Sequence, residues 1–209
     1  NYILTQKSCA ATRAAGMLAL DGRCKTLDAS ADGYGRGEAV ACVMLSRALR
    51  SAMFVLCSGA CESDGRSSSL TAPNGPAQRR VIVAAWRTLD PDDVVSEVSM
   101  HGTGTALGDP IECGSLGDVA SQRSLAGGTT LYASKSAVAH TESTAGSVGV
   151  FYLAARFAAE TTPPVIGLRR LNPHAVLFHT FRAPLQRTAA PRESEGDALV
   201  SGCSAFAFM

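Results

Sequence analysis

Two apolar, strand-like segments that are each followed at once by small polar residues constrain the fold of this chain most strongly. Val94 to Met100 (VVSEVSM) runs directly into His101 to Thr105 (HGTGT), and Asp109 to Val119 then has the composition of a helix. Thr129 to Ser134 (TTLYAS) is the second such strand, and a further helix follows it. Strands that alternate with helices predict an α/β architecture, in which helices cover a sheet.

Apolar side chains at helical spacing predict two further core helices. One begins after the turn at Asn74 to Pro76, where proline suits the first helical turn. The apolar positions of both helices are Ile82, Ala85, Trp86, Leu89, Val148, Phe151, Tyr152, Ala155 and Ala159. Two apolar runs, Ala39 to Leu45 (AVACVML) and Met53 to Ser58 (MFVLCS), predict paired or neighbouring buried strands. A solvated loop at Arg192 to Asp197 precedes a last strand-like segment, Ala198 to Met209.

The composition and charge of the chain argue against two classes of function, nucleic-acid binding and membrane insertion. The chain has 209 residues, of which 46% are hydrophobic, and a formal net charge of +1. This balance predicts a globular protein without a basic footprint for nucleic acid. The longest nearly uncharged stretch, Ala145 to Ala159, is shorter than the roughly 20 residues that a membrane helix needs. We therefore expect no membrane span.

Seven scattered cysteines predict reduced thiols rather than a disulfide framework. Cys57 and Cys61 have no second pair or nearby histidine that would complete a metal site, so no metal is expected. Cys9, between Ser8 and Ala10, is interpreted as an ordinary thiol rather than a nucleophile. This usage favours a reducing compartment such as the cytosol or the plastid stroma.

A histidine and a lysine each follow a predicted strand. In α/β sheets ligands bind outside the carboxyl ends of the strands, so His101, Lys135 and His140 could share one edge. Taken singly, a histidine after a strand is more often structural than catalytic, and a lone lysine is more often a surface charge. His174 and His179 keep the structural interpretation.

Separated motifs in a fixed order identify a family resemblance. They are the segments at residues 15–25 (AGMLALDGRCK), 28–38 (DASADGYGRGE), 71–78 (TAPNGPAQ), 101–112 (HGTGTALGDPIE), 135–146 (KSAVAHTESTAG), 172–174 (NPH) and 204–208 (SAFAF). Together they resemble the β-ketoacyl synthase (ketosynthase) domain of type I modular polyketide synthases. The resemblance covers nearly the whole chain, which makes it far more specific than any one glycine-rich motif.

The resemblance implies the C-terminal part of a thiolase-like fold, a mixed sheet covered by helices, incomplete in this chain. Residues 1–70 would end the N-terminal thiolase-like half, and residues 71–209 would form a truncated C-terminal half. The family's nucleophilic cysteine is expected upstream of Asn1, so the chain alone is not expected to be competent. Family ketosynthases pair, which implies a homo-oligomer or larger assembly together with the remainder of the ketosynthase domain.

The implied reaction is a decarboxylative Claisen condensation between an acyl thioester and a carrier-bound malonyl extender, in polyketide or fatty-acid synthesis. By resemblance, His101 and His140 donate hydrogen bonds to the enolate oxygen, and Lys135 supplies a positive charge beside them. Thr103 and Thr105 would face the phosphopantetheine arm of an acyl carrier protein. Phe208 would gate the acyl pocket. No cofactor is expected to bind the chain directly.

Departures from the family pattern keep a second hypothesis open. Ala137 and Ala139 replace an asparagine and a glycine before His140, and Ala207 replaces a glycine between two phenylalanines. Glu62 and Ser63 stand where the family has asparagine and glutamine. The alternative is a degenerate, non-catalytic ketosynthase-like subunit, a pseudoenzyme with a structural or interaction role in a larger complex.

Overall fold

The computed structural model places the predicted strands and helices in one α/β unit. Most of the chain is described by it, namely residues 3, 5–45, 47, 54–65, 72–90, 93, 95–122, 129–159, 161–162, 164–175, 181–182, 190–191 and 200–206. Residues 192–197, the predicted solvated loop, and Phe208 lie outside this described part.

A parallel sheet forms the centre of the fold. Its strands are β1 (Val95–Ser99), β2 (Thr129–Tyr132), β4 (Phe181–Arg182) and β6 (Val200–Cys203), in the order β4-β2-β1-β6. β1 pairs in parallel with both β2 and β6, with Val98 opposite Leu131 on one side and Gly202 on the other. Two short strands, β3 (Thr161–Thr162) and β5 (Ala190–Pro191), form a separate antiparallel ladder. Because the central strands are parallel, their carboxyl ends meet at one edge.

The helices follow from the local sequence. α2 (Gly75–Trp86) begins at Asn74, whose side-chain oxygen accepts a hydrogen bond from the N–H of Ala77, with a proline in the first turn. α3 (Gly108–Ala120) follows β1, the short α4 (Lys135–Val138) follows β2, and α5 (Ala145–Ala159) comes after a 3-10 turn at Glu142–Thr144. The predictions of α2, β1, α3, β2 and α5 are therefore confirmed.

The core lies between the sheet and helices α2 and α3. Leu27, Val95, Ala120 and Leu131 are fully buried there, and Trp86 packs against the same cluster. A smaller cluster of Tyr132, Leu153 and Val165 lies on the α5 side. Buried Arg156 of α5 also forms two hydrogen bonds to the Glu97 carboxylate of β1 and stacks over the Tyr132 ring. Sheet and helices are thus joined by packing on both faces.

The prediction of two strands at residues 39–45 and 53–58 is wrong for the residues that the structure describes. In the described part of the chain, residues 39–45 and 54–58, called here the apolar strip, form no strand, and most of their side chains are exposed. Met44 is 94% exposed and Leu56 is 71% exposed. A strand needs a neighbouring backbone to satisfy its N–H and C=O groups, so apolar composition alone does not produce one.

One helix was not anticipated from the sequence. α1 (Gln6–Ala14) begins at Thr5, whose hydroxyl accepts from the N–H of Ser8, and it has no buried residue. An apolar stripe, the usual signal for a core helix, is therefore lacking. Among the described residues, no helix has the length and apolarity needed to cross a membrane.

Candidate active site

The carboxyl edge of the parallel sheet brings the predicted catalytic residues together. His101 follows β1 after Met100, and Lys135 follows β2 at the start of α4. His140 lies just beyond α4, and its ring centroid is 5.3 Å from that of His101, with the two ring planes at 85°. The electrostatic influence of Lys135 reaches both imidazoles. These residues form one cluster, as the strand ends predict.

His101 is held in one orientation by the chain segment after β6. Its Nδ1 accepts a hydrogen bond of 3.1 Å from the backbone N–H of Phe206, whose ring packs edge-on at a centroid distance of 5.7 Å. An acceptor at Nδ1 leaves the proton on Nε2, so the other side of the ring is a donor. Burial lowers the pKa of His101 well below its ordinary value, and Lys135 and His140 lower it further.

His140 is arranged in the same way by a different segment. Its Nδ1 accepts a 2.8 Å hydrogen bond from the N–H of Glu142, which again leaves the proton on Nε2. Its backbone is paired with residues 35–37, because Gly35 O accepts from His140 N–H and His140 O accepts from Gly37 N–H. Burial, with a contribution from Lys135, lowers the pKa of His140 to about 4. Both imidazoles are therefore neutral Nε2–H donors at pH 7.

Lys135 is a buried cation, with 3% of its surface exposed. Burial lowers its pKa, while the nearby carboxylate of Glu112 opposes that effect by favouring the ammonium form. A compact positive charge in this position disfavours a second positive charge on either imidazole. It therefore helps to keep both histidines neutral.

Two buried acidic residues of α3 hold the HGTGT loop, and sequence reasoning assigned them no role. The Glu112 carboxylate accepts from the backbone N–H groups of His101 (2.6 Å) and Gly102 (2.9 Å). It also accepts from the hydroxyl of Ser204, at 2.6 Å. The signal was present in the motif, since Asp109 and Glu112 lie in the first turns of the helix that follows the loop. Glu112 thus fixes the backbone from which His101 projects.

Asp109 links the same loop to the N-terminal part of the chain. Its carboxylate accepts from Leu27 N–H at 2.8 Å and from Gly104 N–H at 3.1 Å. Complete burial raises the pKa of Asp109 to about 7, the nearby Glu112 adds to the increase, and the two backbone hydrogen bonds oppose it. The loop is therefore attached to residues distant in the sequence.

Glycine is required at two positions of this loop. Gly102 has φ +47° and Gly104 has φ +78°, in the left-handed region that disfavours other residues. A Cβ at Gly102 would meet the Ala133 side chain at 2.6 Å, and one at Gly104 would meet the backbone of Cys24 and Lys25. These glycines let the loop lie directly against its neighbours.

The predicted substrate-binding threonines lie beside His101. Thr103 is buried, and its hydroxyl lies 3.5 Å from that of Thr105, which in turn accepts from the N–H of Gly108. Both threonines line a small cavity together with His101 and Phe206. The predicted gate, Phe208, lies outside the described residues, and Phe206 is the described aromatic residue in contact with His101. The substrate-contacting role of these residues stays a prediction.

Ala139, one of the departures from the family pattern, has an unusual backbone conformation. Its φ of +62° and ψ of −175° fall in a region that is essentially reserved for glycine. This residue immediately precedes His140. The substitution therefore places backbone strain of about 1–3 kcal/mol beside a candidate catalytic residue.

The described residues contain neither a metal centre nor a disulfide. In this part of the chain, no group of histidine, cysteine and acidic residues is arranged to hold a metal ion. All seven cysteines are free thiols, and burial raises the pKa of Cys24, which lies near Lys135, to about 11. Cys24 is therefore protonated at neutral pH.

The sheet edge of this α/β protein thus holds two imidazoles and a buried lysine, all within motifs that resemble those of the β-ketoacyl synthase family. The family comparison agrees: residues 53–169 match the C-terminal domain of β-ketoacyl synthase, and residues 1–51 match the N-terminal domain. The chain belongs to the β-ketoacyl synthase family. The domain boundary predicted after residue 70 stays a prediction.

Curated relatives of this chain are large polyketide synthases. It is 40% identical over 168 residues to a phenolphthiocerol/phthiocerol polyketide synthase of Mycobacterium tuberculosis, covering 77% of this chain and 8% of that protein. It is 38% identical over 160 residues to erythronolide synthase EryA3 of Saccharopolyspora erythraea, covering 72% of this chain and 5% of that protein. The chain thus spans a small fraction of these relatives.

Solved ketosynthase structures share the fold. The ketosynthase from module 6 of the bacillaene synthase from Bacillus subtilis 168 matches with a TM-score of 0.82 and 25% identity, over 94% of this chain and 36% of that one. The oxazolomycin ketosynthase domain OzmH KS7 of Streptomyces albus JA3453 matches with a TM-score of 0.80 and 27% identity, over 95% of this chain and 36% of that one. The predicted partial thiolase-like fold is confirmed.

Proposed function

We propose that the described residues form the decarboxylation and condensation half of a β-ketoacyl synthase active site in polyketide assembly. One observation carries the proposal. His101 and His140 lie 5.3 Å apart between ring centroids, and each has Nδ1 occupied by a backbone N–H and Nε2–H left as a donor.

Two neutral imidazole donors suit the chemistry of a malonyl thioester. Loss of CO2 leaves negative charge on the thioester oxygen as an enolate forms, and donors placed before the reaction stabilise that charge. The enolate carbon then attacks the carbonyl carbon of an acyl thioester, and the thiol leaves. An imidazole protonated in the resting state would bind the starting malonate carboxylate more tightly and give up part of this selectivity for the transition state.

Lys135 acts on the imidazoles through its charge. Burial lowers the pKa of both histidines, the Lys135 ammonium group lowers it further, and that group adds positive potential where the enolate charge develops. Glu112 balances that charge and holds the His101 backbone. The lysine is therefore an electrostatic partner of the donors in this proposal.

The proposed substrate is an extender unit on the phosphopantetheine arm of an acyl carrier protein. Thr103 and Thr105 line the cavity beside His101 and supply hydroxyl groups of the kind that bind the amides of such an arm. The acyl group to be extended is proposed to arrive as a thioester on the nucleophilic cysteine of the ketosynthase domain. The remainder of the ketosynthase domain and a second copy are the proposed partners, in a reducing compartment.

The test measures CO2 release from a malonyl carrier protein by the native full-length polypeptide that contains this chain. His101→Ala and His140→Ala should each lower kcat about 100-fold, since loss of one donor costs about 3 kcal/mol. His174→Ala is the matched control, because that histidine is exposed and its backbone N–H donates to Asn172. Equal rates for all variants, with wild-type stability, would contradict the proposal.

One observation favours the non-catalytic alternative. Ala139 adopts a backbone conformation that is favourable only for glycine, directly before His140, and this strain weighs against an optimised catalytic loop. If the chain is a degenerate subunit, neither the native polypeptide nor its Ala139→Gly variant will release CO2 from the malonyl carrier. Activity in the native polypeptide excludes this alternative.

A further inference from the structure

We propose that Arg36 and Glu142 form a clamp that positions the His140 imidazole. This inference rests on the proposed catalytic role of His140 and adds two positioning residues to it. In the sequence both residues lie inside longer motifs, and the family resemblance gave neither of them a role.

Arg36 and Glu142 form a two-pronged ion pair. Arg36 Nε lies 2.8 Å from Glu142 Oε1, and Nη2 lies 3.0 Å from Oε2. The two side chains are 9% and 30% exposed, so water screens the pair only partly. Paired, charge-assisted hydrogen bonds of this kind fix orientation as well as distance, which a lysine cannot reproduce.

Glu142 transmits this constraint to the imidazole through its own backbone. The N–H that donates to His140 Nδ1 belongs to Glu142, and Glu142 has a left-handed φ of +49°. A non-glycine residue adopts that conformation only where its surroundings hold it. The ion pair with Arg36 is such a restraint, so the direction of the Glu142 N–H depends on it.

Arg36 also lies at the centre of the segment that holds the His140 backbone. The hydrogen bonds from His140 N–H to Gly35 O and from Gly37 N–H to His140 O flank it on both sides. Its remaining nitrogen, Nη1, contacts the Ser8 hydroxyl at 3.0 Å and Cys9 Sγ at 3.1 Å on α1. One arginine therefore connects α1, the backbone partner of His140 and the residue that orients its ring.

The experiment compares Arg36→Met, Arg36→Lys and Glu142→Gln in the native full-length polypeptide. Side-chain 15N NMR at pH 7 reports which nitrogen of His140 carries the proton, and this readout does not require activity. Arg36→Met should convert the single Nε2–H form into a mixture of both forms, with kcat for decarboxylation about 10- to 100-fold lower and KM unchanged. Arg36→Lys should restore less than half of the lost kcat on a logarithmic scale. The kcat of Glu142→Gln should lie between those of Arg36→Met and the wild type.

Arg79→Met is the control, because Arg79 pairs with Asp118 at 3.5 Å on the exposed surface of α2. It should leave the His140 signals and kcat unchanged. The clamp is overturned if Arg36→Met and Glu142→Gln keep the wild-type Nε2–H signal of His140. A change in that signal without any decarboxylation, even in the wild type, would support the clamp and count against the proposed function.

Discussion

The sheet edge and the apolar strip are both close to segments of high family resemblance, yet they differ in what holds them. At the edge, the backbone N–H groups of His101, Gly102 and Gly104 each donate to a buried carboxylate of α3. In the described part of the strip, residues 39–45 and 54–58 form no strand, and large apolar side chains are exposed. Hydrogen bonds to buried carboxylates hold the edge, whereas the described side chains of the strip lack comparable burial.

The matched structures agree with this difference. This chain covers 36% of the bacillaene ketosynthase to which it is similar, so most of that domain corresponds to nothing in these residues. Apolar side chains exposed in a row mark surfaces that another part of a protein covers. The candidate site is thus held by hydrogen bonds among the described residues, whereas the described apolar side chains of the strip are exposed.

Removing the Glu112 charge should have the largest effect. Glu112→Gln puts an amide N–H2 opposite a backbone N–H and removes the charge that most favours the Lys135 ammonium form, so the free energy of unfolding should fall by about 3 kcal/mol. Glu62 lies beside the strip and forms an exposed ion pair with Arg80. Glu62→Gln removes that pair and should change the free energy of unfolding by less than about 0.5 kcal/mol. Denaturant unfolding measures both changes. Equal losses of unfolding free energy would show that the edge is held no more firmly than the strip.

Relieving the strain at Ala139 should stabilise the edge by a smaller amount. Ala139→Gly removes a penalty at φ +62° but adds freedom to the unfolded chain, for a net gain of about 1 kcal/mol. Ala137→Gly, inside the helical turn α4, should instead destabilise by about 0.5–1 kcal/mol. Thermal unfolding that shifts both variants in the same direction would show that the backbone of Ala139 is not strained.

Substitution in the strip should have the smallest effect. Leu56 is 71% exposed, so Leu56→Ser should change the free energy of unfolding of the chain by less than about 0.5 kcal/mol. Leu131→Ala, at a fully buried position of β2, is the comparison and should cost about 3 kcal/mol. A loss above about 1.5 kcal/mol for Leu56→Ser would mean that the strip is packed within this chain.

Local signals were sufficient for much of this architecture. The Asn74 cap, the strand that ends at His101 and the stripe of α5 predicted elements that the structure contains. The strand prediction for the apolar strip was wrong because strand formation depends on a partner backbone, which cannot be inferred from residue composition. α1 was missed because it has no buried face.

The site was predictable to the same extent. Strand ends and motif order located His101, Lys135 and His140, because parallel strands bring their carboxyl ends together. The Arg36 to Glu142 pair joins residues 106 positions apart, and nothing in the local pattern of either segment specifies that contact. The hydrogen bond to His101 comes from a backbone N–H of Phe206, which any residue other than proline could supply.

The protonation of the two histidines tests the central claim most directly. Burial lowers the pKa of His140 to about 4 and also lowers that of His101. An unfolded chain therefore takes up a proton at His140 as the pH falls from about 6.5 toward 4 while the folded chain does not, and stability is lost over that range. A 15N NMR titration of the wild type should show both imidazoles as neutral Nε2–H forms at pH 7, with the His140 midpoint near 4. An imidazolium at pH 7, or a His140 midpoint near its ordinary value of 6.5, would contradict the account.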